Sequence, residues 1–307
     1  FVGASSSSTD VRNTLRKFCY EIKAEHPQIN DAIPDDPEAL RDAFSDFLRQ
    51  ASASNRIVIL LDAVNQFDAT LHFKQLKWLP ERLPRNVHII FSTIQGPIVE
   101  EVCNYFQAVN IKELNRITAS DGDAIIEQFG QRFHKVITPT QRAALLAKSD
   151  AGLPIYLLTA LEELRTLSVS REVVDSQDQD QAVLGLIERL PSTTYELFKW
   201  VLERLQNDDG FRDEQGNKIG AEFIPKFAAL LSASRYGLSQ RELDSLLSPY
   251  SRGGNLSALI FLLRPYLMQR GELLDFYHSQ LHLAASDLWL HSDWQQKETH
   301  LHLADYF

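Results

Sequence analysis

The sequence predicts an α/β fold: a doubly wound parallel sheet, followed by an α-helical domain and a winged-helix domain. Three observations carry this. Ile57-Val58-Ile59-Leu60-Leu61 is an apolar run ending in Asp62, and Val87-His88-Ile89-Ile90-Phe91 ends in Ser92-Thr93. Such runs, alternating with helix-patterned segments, suit strands of a parallel sheet buried on both faces. Beyond about Asp121 the strand signals fade and helical periodicity takes over. Near the end, three short helical patterns precede Tyr266–Phe276, which reads as a hairpin turning at Gly271, the order of a winged helix.

The elements follow in chain order. Phe1-Val2-Gly3-Ala4 reads as a buried strand, so the chain reads as a piece of something longer. Ser5 to Asp10 supplies helix-capping side chains, and Val11, Leu15, Phe18, Cys19 and Ile22 then share one helical face. A second amphipathic helix covers Pro37 to Gln50. After the two apolar strands, a fourth candidate strand runs from Ala108 to Leu114. Helices are predicted over 124–133, 139–149, 154–165 and 181–190, with a polar, acidic loop or helix start over 169–181. Residues 207–222, rich in Asn, Asp and Gly, read as a surface excursion. Helices then follow over 224–234, from Ser239, and over 256–264, with Ser239 and Glu242 spaced as a capping box. The domains are expected at 1–118 (a partial nucleotide-binding core), 119–222 (helical) and 223–307 (winged helix and the start of a linker helix).

With 31 basic and 41 acidic side chains the net charge is −10, which argues against a nucleic-acid surface. Residues 230–307 carry six basic against eight acidic side chains, so the winged-helix portion is not basic either. No stretch reaches the ~20 apolar residues of a membrane helix. Cys19 and Cys103 lie far apart in apolar contexts and read as buried thiols of a reducing, cytoplasmic compartment.

Asp62 is the sharpest functional signal. A carboxylate at the C-terminal tip of a buried strand sits at the ligand edge of an α/β sheet, where it can hold Mg²⁺; the plainer reading is a cap on the next turn. Asp68, six residues on, is a candidate to orient an attacking water, or part of a loop. Ser92 and Thr93 end the next strand and can sense a terminal phosphate, or simply begin a turn. Gly152-Leu153-Pro154 is complete as helix punctuation, with Pro154 at the first helical position; its functional reading packs Pro154 on an adenine ring. His278 can meet a diphosphate or cap a helix. No Gly-x-x-x-x-Gly-Lys-Ser/Thr occurs among the 307 residues, so the usual backbone cradle for phosphates is not within them.

In their order and spacing these landmarks resemble the STAND class of signalling P-loop NTPases with a NACHT-like core, close to nephrocystin-like and telomerase-associated-protein-like members linked to TPR or WD repeats. Phe1 to Cys19 looks like the strand and helix after the phosphate loop, and Leu60-Leu61-Asp62-Ala63-Val64-Asn65-Gln66 like the Walker B segment. Lys77-Trp78-Leu79-Pro80 with Leu83 to Val87 is similar to the approach to the sensor 1 strand. Gly152-Leu153-Pro154 matches the Gly-x-Pro motif, and Leu273 to His278 the segment whose histidine meets bound ADP. His302 to Phe307 looks like the junction into a repeat array.

The resemblance implies a fragment starting after the Walker A loop, an ATP/ADP-dependent switch using Mg²⁺, and ATP hydrolysis only if a Walker A segment lies upstream. Asp62 would organise the metal, Asp68 the water, Ser92 and Thr93 the phosphate end, and Gly152, Pro154 and His278 the rest of the nucleotide. An ADP-locked closed state would open on ATP exchange and self-associate through the NTPase module, signalling to effector and sensor domains outside the chain. Neither nucleic acid nor membrane is an expected partner. The alternative is a non-catalytic interaction scaffold that keeps the fold. Ala63 occupies the place of the acid that many such ATPases carry beside the metal aspartate.

Overall fold

The computed structural model describes residues 10–67, 78–106, 109–168, 177–248 and 250–307. The expected opening strand, Asp68 and residues 169–176 of the expected acidic loop lie outside them. Among the described residues the chain is mostly helical with two small sheets, and it divides into two compact units, one ending at Glu113 and the other starting at Leu114.

In the first unit, helix α1 (Val11–Glu25) starts at Asp10, whose side chain accepts from Arg12 N at 2.8 Å. Helix α2 (Pro37–Ala51) starts at Asp36 with Pro37 at its first position, where a missing N–H is harmless. Strands β1 (Ile57–Leu61) and β2 (Val87–Phe91) pair in parallel, Ile57 opposite Val87 through Leu61 opposite Phe91. The core joins Leu15 and Cys19 of α1, Leu40, Phe44 and Phe47 of α2, and Ile59 and Leu61 of β1. Phe18 stacks on Phe44 with ring centroids 5.9 Å apart. Asn86 donates to Ser52 O at 3.0 Å, fastening the entry of β2 to the end of α2. Helix α3 (Pro97–Tyr105) turns Val102 inward.

Three expectations change here. Strand β1 is buried on one face only: Ile59 and Leu61 face the core, while Val58 is 53% and Leu60 65% exposed, as is Ile90 of β2 at 54%. Both helices lie on the same side, and among the described residues nothing covers the other. Residues 109–114 form no strand; Ile111 and Leu114 are exposed and find no strand edge among the described residues. Cys103 is exposed, because α3 is amphipathic and Cys103 follows inward-facing Val102; only Cys19 is buried, its thiol pushed up to about 11 by burial.

Among the described residues the second unit opens with four helices: α4 (Ala119–Phe133), α5 (Pro139–Leu146), α6 (Pro154–Leu167) and α7 (Gln179–Arg189). Capping boxes start α4 at Thr118 and α5 at Thr138. Their shared core holds Ile126, Leu145, Tyr156, Leu157 and Ile187. Next come α8 (Thr194–Gln206), α9 (Gly220–Ala233), β3 (Leu238–Ser239), α10 (Gln240–Leu246), α11 (Asn255–Leu263), β4 (Leu267–Arg270), β5 (Leu273–Phe276), α12 (Ser279–Trp289) and α13 (Asp293–Tyr306).

The antiparallel sheet runs β3-β5-β4, with Gly271 at φ 64° in the hairpin turn. The Ser239/Glu242 capping box forms as the sequence predicts. Phe198, Val201, Phe223, Phe227, Leu259 and Phe276 belong to one core uniting α8, α9, α11 and the hairpin.

A buried polar junction ties α6, α8 and the turn between α11 and β4. Glu163 of α6, 2% exposed, receives Arg204 of α8 through Nε at 2.7 Å and Nη2 at 3.1 Å. The Tyr266 hydroxyl donates to the same carboxylate at 3.0 Å. All three groups are satisfied together, the condition under which buried charge is tolerable.

Candidate functional site

The first unit offers one tip where chemistry gathers. Parallel, in-register pairing brings the residues after β1 and β2 side by side at the strands' C-terminal ends, the edge where open α/β sheets bind ligands. The ladder continues past the strands: Ser92 N donates to Leu61 O at 2.9 Å, and Val64 N to Ser92 O at 3.0 Å. Between them the Ser92 hydroxyl donates to the Asp62 carboxylate and accepts from Ala63 N at 2.8 Å. Ala63 sits at φ 57°, ψ 48°, a left-handed conformation disfavoured for a residue with a Cβ. The chain therefore turns sharply just after Asp62, leaving its carboxylate at the tip.

Asp62 and Ser92 are thus brought together, as the strand-tip reading requires. Thr93 is next to them in sequence, and its hydroxyl donates to Ile94 O at 3.2 Å. One carboxylate backed by a hydroxyl fits Mg²⁺, which keeps most of its waters and is commonly held by one or two carboxylates plus substrate phosphates. Among the described residues no cluster of three or more His, Cys, Asp or Glu forms an all-protein metal site.

The remaining expected residues lie in the second unit. Gly152 has a packing role: a Cβ there would stand 2.9 Å from Arg116 Cβ, and Gly152 O accepts from Ile117 N at 2.9 Å. Arg116 is held by Ser149 O at 2.9 Å and Asp150 at 3.0 Å. Pro154 is exposed and opens α6. His278 caps α12, its Nδ1 accepting from Gln280 N at 3.2 Å, with its ring 6.1 Å from that of Phe198. Burial pushes the His278 imidazole below its usual range. Neutral and accepting through Nδ1, it carries its proton on Nε2 and can donate one hydrogen bond from there.

Sequence reading missed the Ser92–Asp62–Ala63 hydrogen-bond set, because it depends on strand register rather than on any motif. It also missed α8, although Thr193 and Glu196 have capping spacing and Leu197, Phe198, Val201, Leu202 and Leu205 repeat helically.

No family model matches the chain. It is similar over its full length to NACHT and WD repeat domain-containing protein 2 of Mus musculus, at 25% identity, and spans 18% of that relative. Nephrocystin-3 of Xenopus tropicalis is 24% identical across 91% of the chain, which covers 20% of that protein. Telomerase protein component 1 of Mus musculus is 20% identical across 81% of the chain, which covers 9% of it. The chain therefore spans about a fifth or less of these relatives. Among the described residues no helix is long and apolar enough to cross a membrane. At this modest identity the chain is similar to proteins named for a NACHT domain, and the similarity suggests a P-loop NTPase-type module.

Proposed function

We propose that this chain is part of a nucleotide-dependent signalling switch of STAND type, alternating between an ADP-held resting state and an ATP-bound, self-associating one. The observation that carries this is the Asp62–Ser92 pair at the C-terminal ends of two parallel strands. When bound, Mg²⁺ would neutralise phosphate charge and bridge the nucleotide to the protein. This chain's own part is to present the Asp62 carboxylate at a fixed tip. The roles that the resemblance assigns to Pro154 (base) and His278 (phosphate, through Nε2–H) belong to the same proposal. So does the winged-helix reading of α9 to β5, which the β3-β5-β4 order supports.

Phosphate-cradling groups would come from elsewhere in a longer protein. The uncovered apolar face of β1 and β2, with Val58, Leu60 and Ile90, supports a further layer packed on that face in the longer protein. The same proposal places the protein in the cytoplasm, with sensor and effector domains on the rest of the polypeptide.

Ala63, where an acid would polarise water, favours a second reading: a scaffold that keeps the fold without turnover. Isothermal titration of ADP separates the two readings. The switch predicts binding by the natural full-length protein, weakened by His278→Ala and Pro154→Ala and much weaker in the 307-residue chain alone. Equal affinity in both proteins, or none in either, contradicts it.

A further inference from the structure

We propose that Ser92 is a positioning residue for Asp62, and that its hydroxyl does not itself meet the terminal phosphate. The inference deepens the reading above and rests on it. A serine hydroxyl has one proton and two acceptor positions. The proton of Ser92 is committed to the Asp62 carboxylate, and one acceptor position takes the Ala63 N–H at 2.8 Å. No proton is left with which to meet a phosphate oxygen, which only accepts.

The same hydroxyl holds Asp62 from two directions. It fixes one carboxylate oxygen directly, and it secures the next peptide, whose left-handed conformation at φ 57° directs the chain away behind the carboxylate. The backbone of Ser92 reinforces this from both sides, through its N–H to Leu61 O and its carbonyl to Val64 N. Ser92 fixes one carboxylate oxygen of Asp62, which sets the direction in which the carboxylate points. Partners that orient a metal-binding carboxylate this way typically contribute 10- to 100-fold to metal affinity.

A positioning group and a phosphate sensor fail differently. Loss of a sensor weakens ATP and leaves ADP untouched. Loss of the positioning hydroxyl raises the Mg²⁺ requirement for both nucleotides and leaves metal-free binding unchanged.

The test titrates Mg²⁺ into the natural full-length protein with ADP, and separately with the slowly hydrolysed analogue ATPγS, for wild type, Ser92→Ala and Ser92→Thr. The expected result is a Mg²⁺ midpoint about 10- to 100-fold higher in Ser92→Ala with either nucleotide, and recovery in Ser92→Thr, which keeps the hydroxyl. Circular dichroism checks that both variants are folded, and Ser92→Gly, which also lacks the hydroxyl, takes the place of Ser92→Ala if that variant is not. A loss confined to ATPγS at an unchanged Mg²⁺ midpoint overturns the proposal, as does an unchanged midpoint with both nucleotides or failure of Ser92→Thr to recover. If the wild type shows no Mg²⁺-dependent binding, the switch reading itself fails, and the wild-type arm alone reveals it.

Discussion

Glu163→Ala is the sharpest test of how the second unit is held together. The substitution leaves the Arg204 guanidinium, whose side chain is 19% exposed, without its two hydrogen bonds, and the Tyr266 hydroxyl, on a residue only 4% exposed, without its acceptor. Breaking a buried ion pair by removing one partner costs about 3–5 kcal/mol, mostly from the charge left behind. Typical total stabilities are roughly 5–15 kcal/mol, so the variant should sit near the edge of folding. With a urea m-value of about 2 kcal/mol/M, the midpoint should fall by roughly 1.5–2.5 M. Trp200 fluorescence reports the transition, because this residue packs against both cores of the unit. Replacing the pair with apolar residues, Glu163→Leu with Arg204→Met, removes the stranded charge and should recover most of the loss. A midpoint shift under about 0.3 M for Glu163→Ala, or a double variant as unstable as the single one, would refute the reasoning.

Three further outcomes follow from the same structure. Gly237 has φ +86°, and a Cβ there would stand 2.3 Å from Leu274 O of β5, so Gly237→Ala should cost at least ~2 kcal/mol in thermal or urea unfolding. The depressed pKa of His278 means that the unfolded chain binds its proton more readily. Its contribution is therefore intact above about pH 6.5 and lost as pH falls through the depressed value, and comparing urea midpoints at pH 7.5 and 5.5 should show a smaller acid loss in His278→Asn, which keeps a helix cap. On β1 of the 307-residue chain, Ile59→Thr should destabilise by ~2 kcal/mol or more while Leu60→Thr stays within about 0.5 kcal/mol, since only Ile59 faces the core.

The sequence was most legible where local chemistry and packing agree. The Ser239/Glu242 box, the Gly271 hairpin and the Pro154 helix start each rest on one residue type suited to one backbone position. The burial of β1 was misjudged because an unbroken apolar run says that a strand is apolar on both faces, not what covers each face. The 109–114 stretch has β-favouring Val109 and Ile111, but a strand needs a paired edge, and propensity does not supply one. Half of the candidate site was readable: Asp62 and Ser92 stand out as the polar ends of apolar runs. Their direct hydrogen bond follows from register, which sequence spacing alone leaves free. The Glu163–Arg204–Tyr266 junction was invisible for the same reason, since its members lie up to 103 residues apart.

The most direct test of the account concerns Asp62. Mn²⁺, standing in for Mg²⁺, can be followed by electron paramagnetic resonance as it binds the natural full-length protein with ADP. Wild type should bind Mn²⁺ in an ADP-dependent way, and Asp62→Asn should weaken that binding at least ~10-fold while the melting temperature stays near wild type. Equal Mn²⁺ affinity in the two proteins, or no ADP-dependent Mn²⁺ in the wild type, would contradict the assignment of this strand tip to a nucleotide-bound metal.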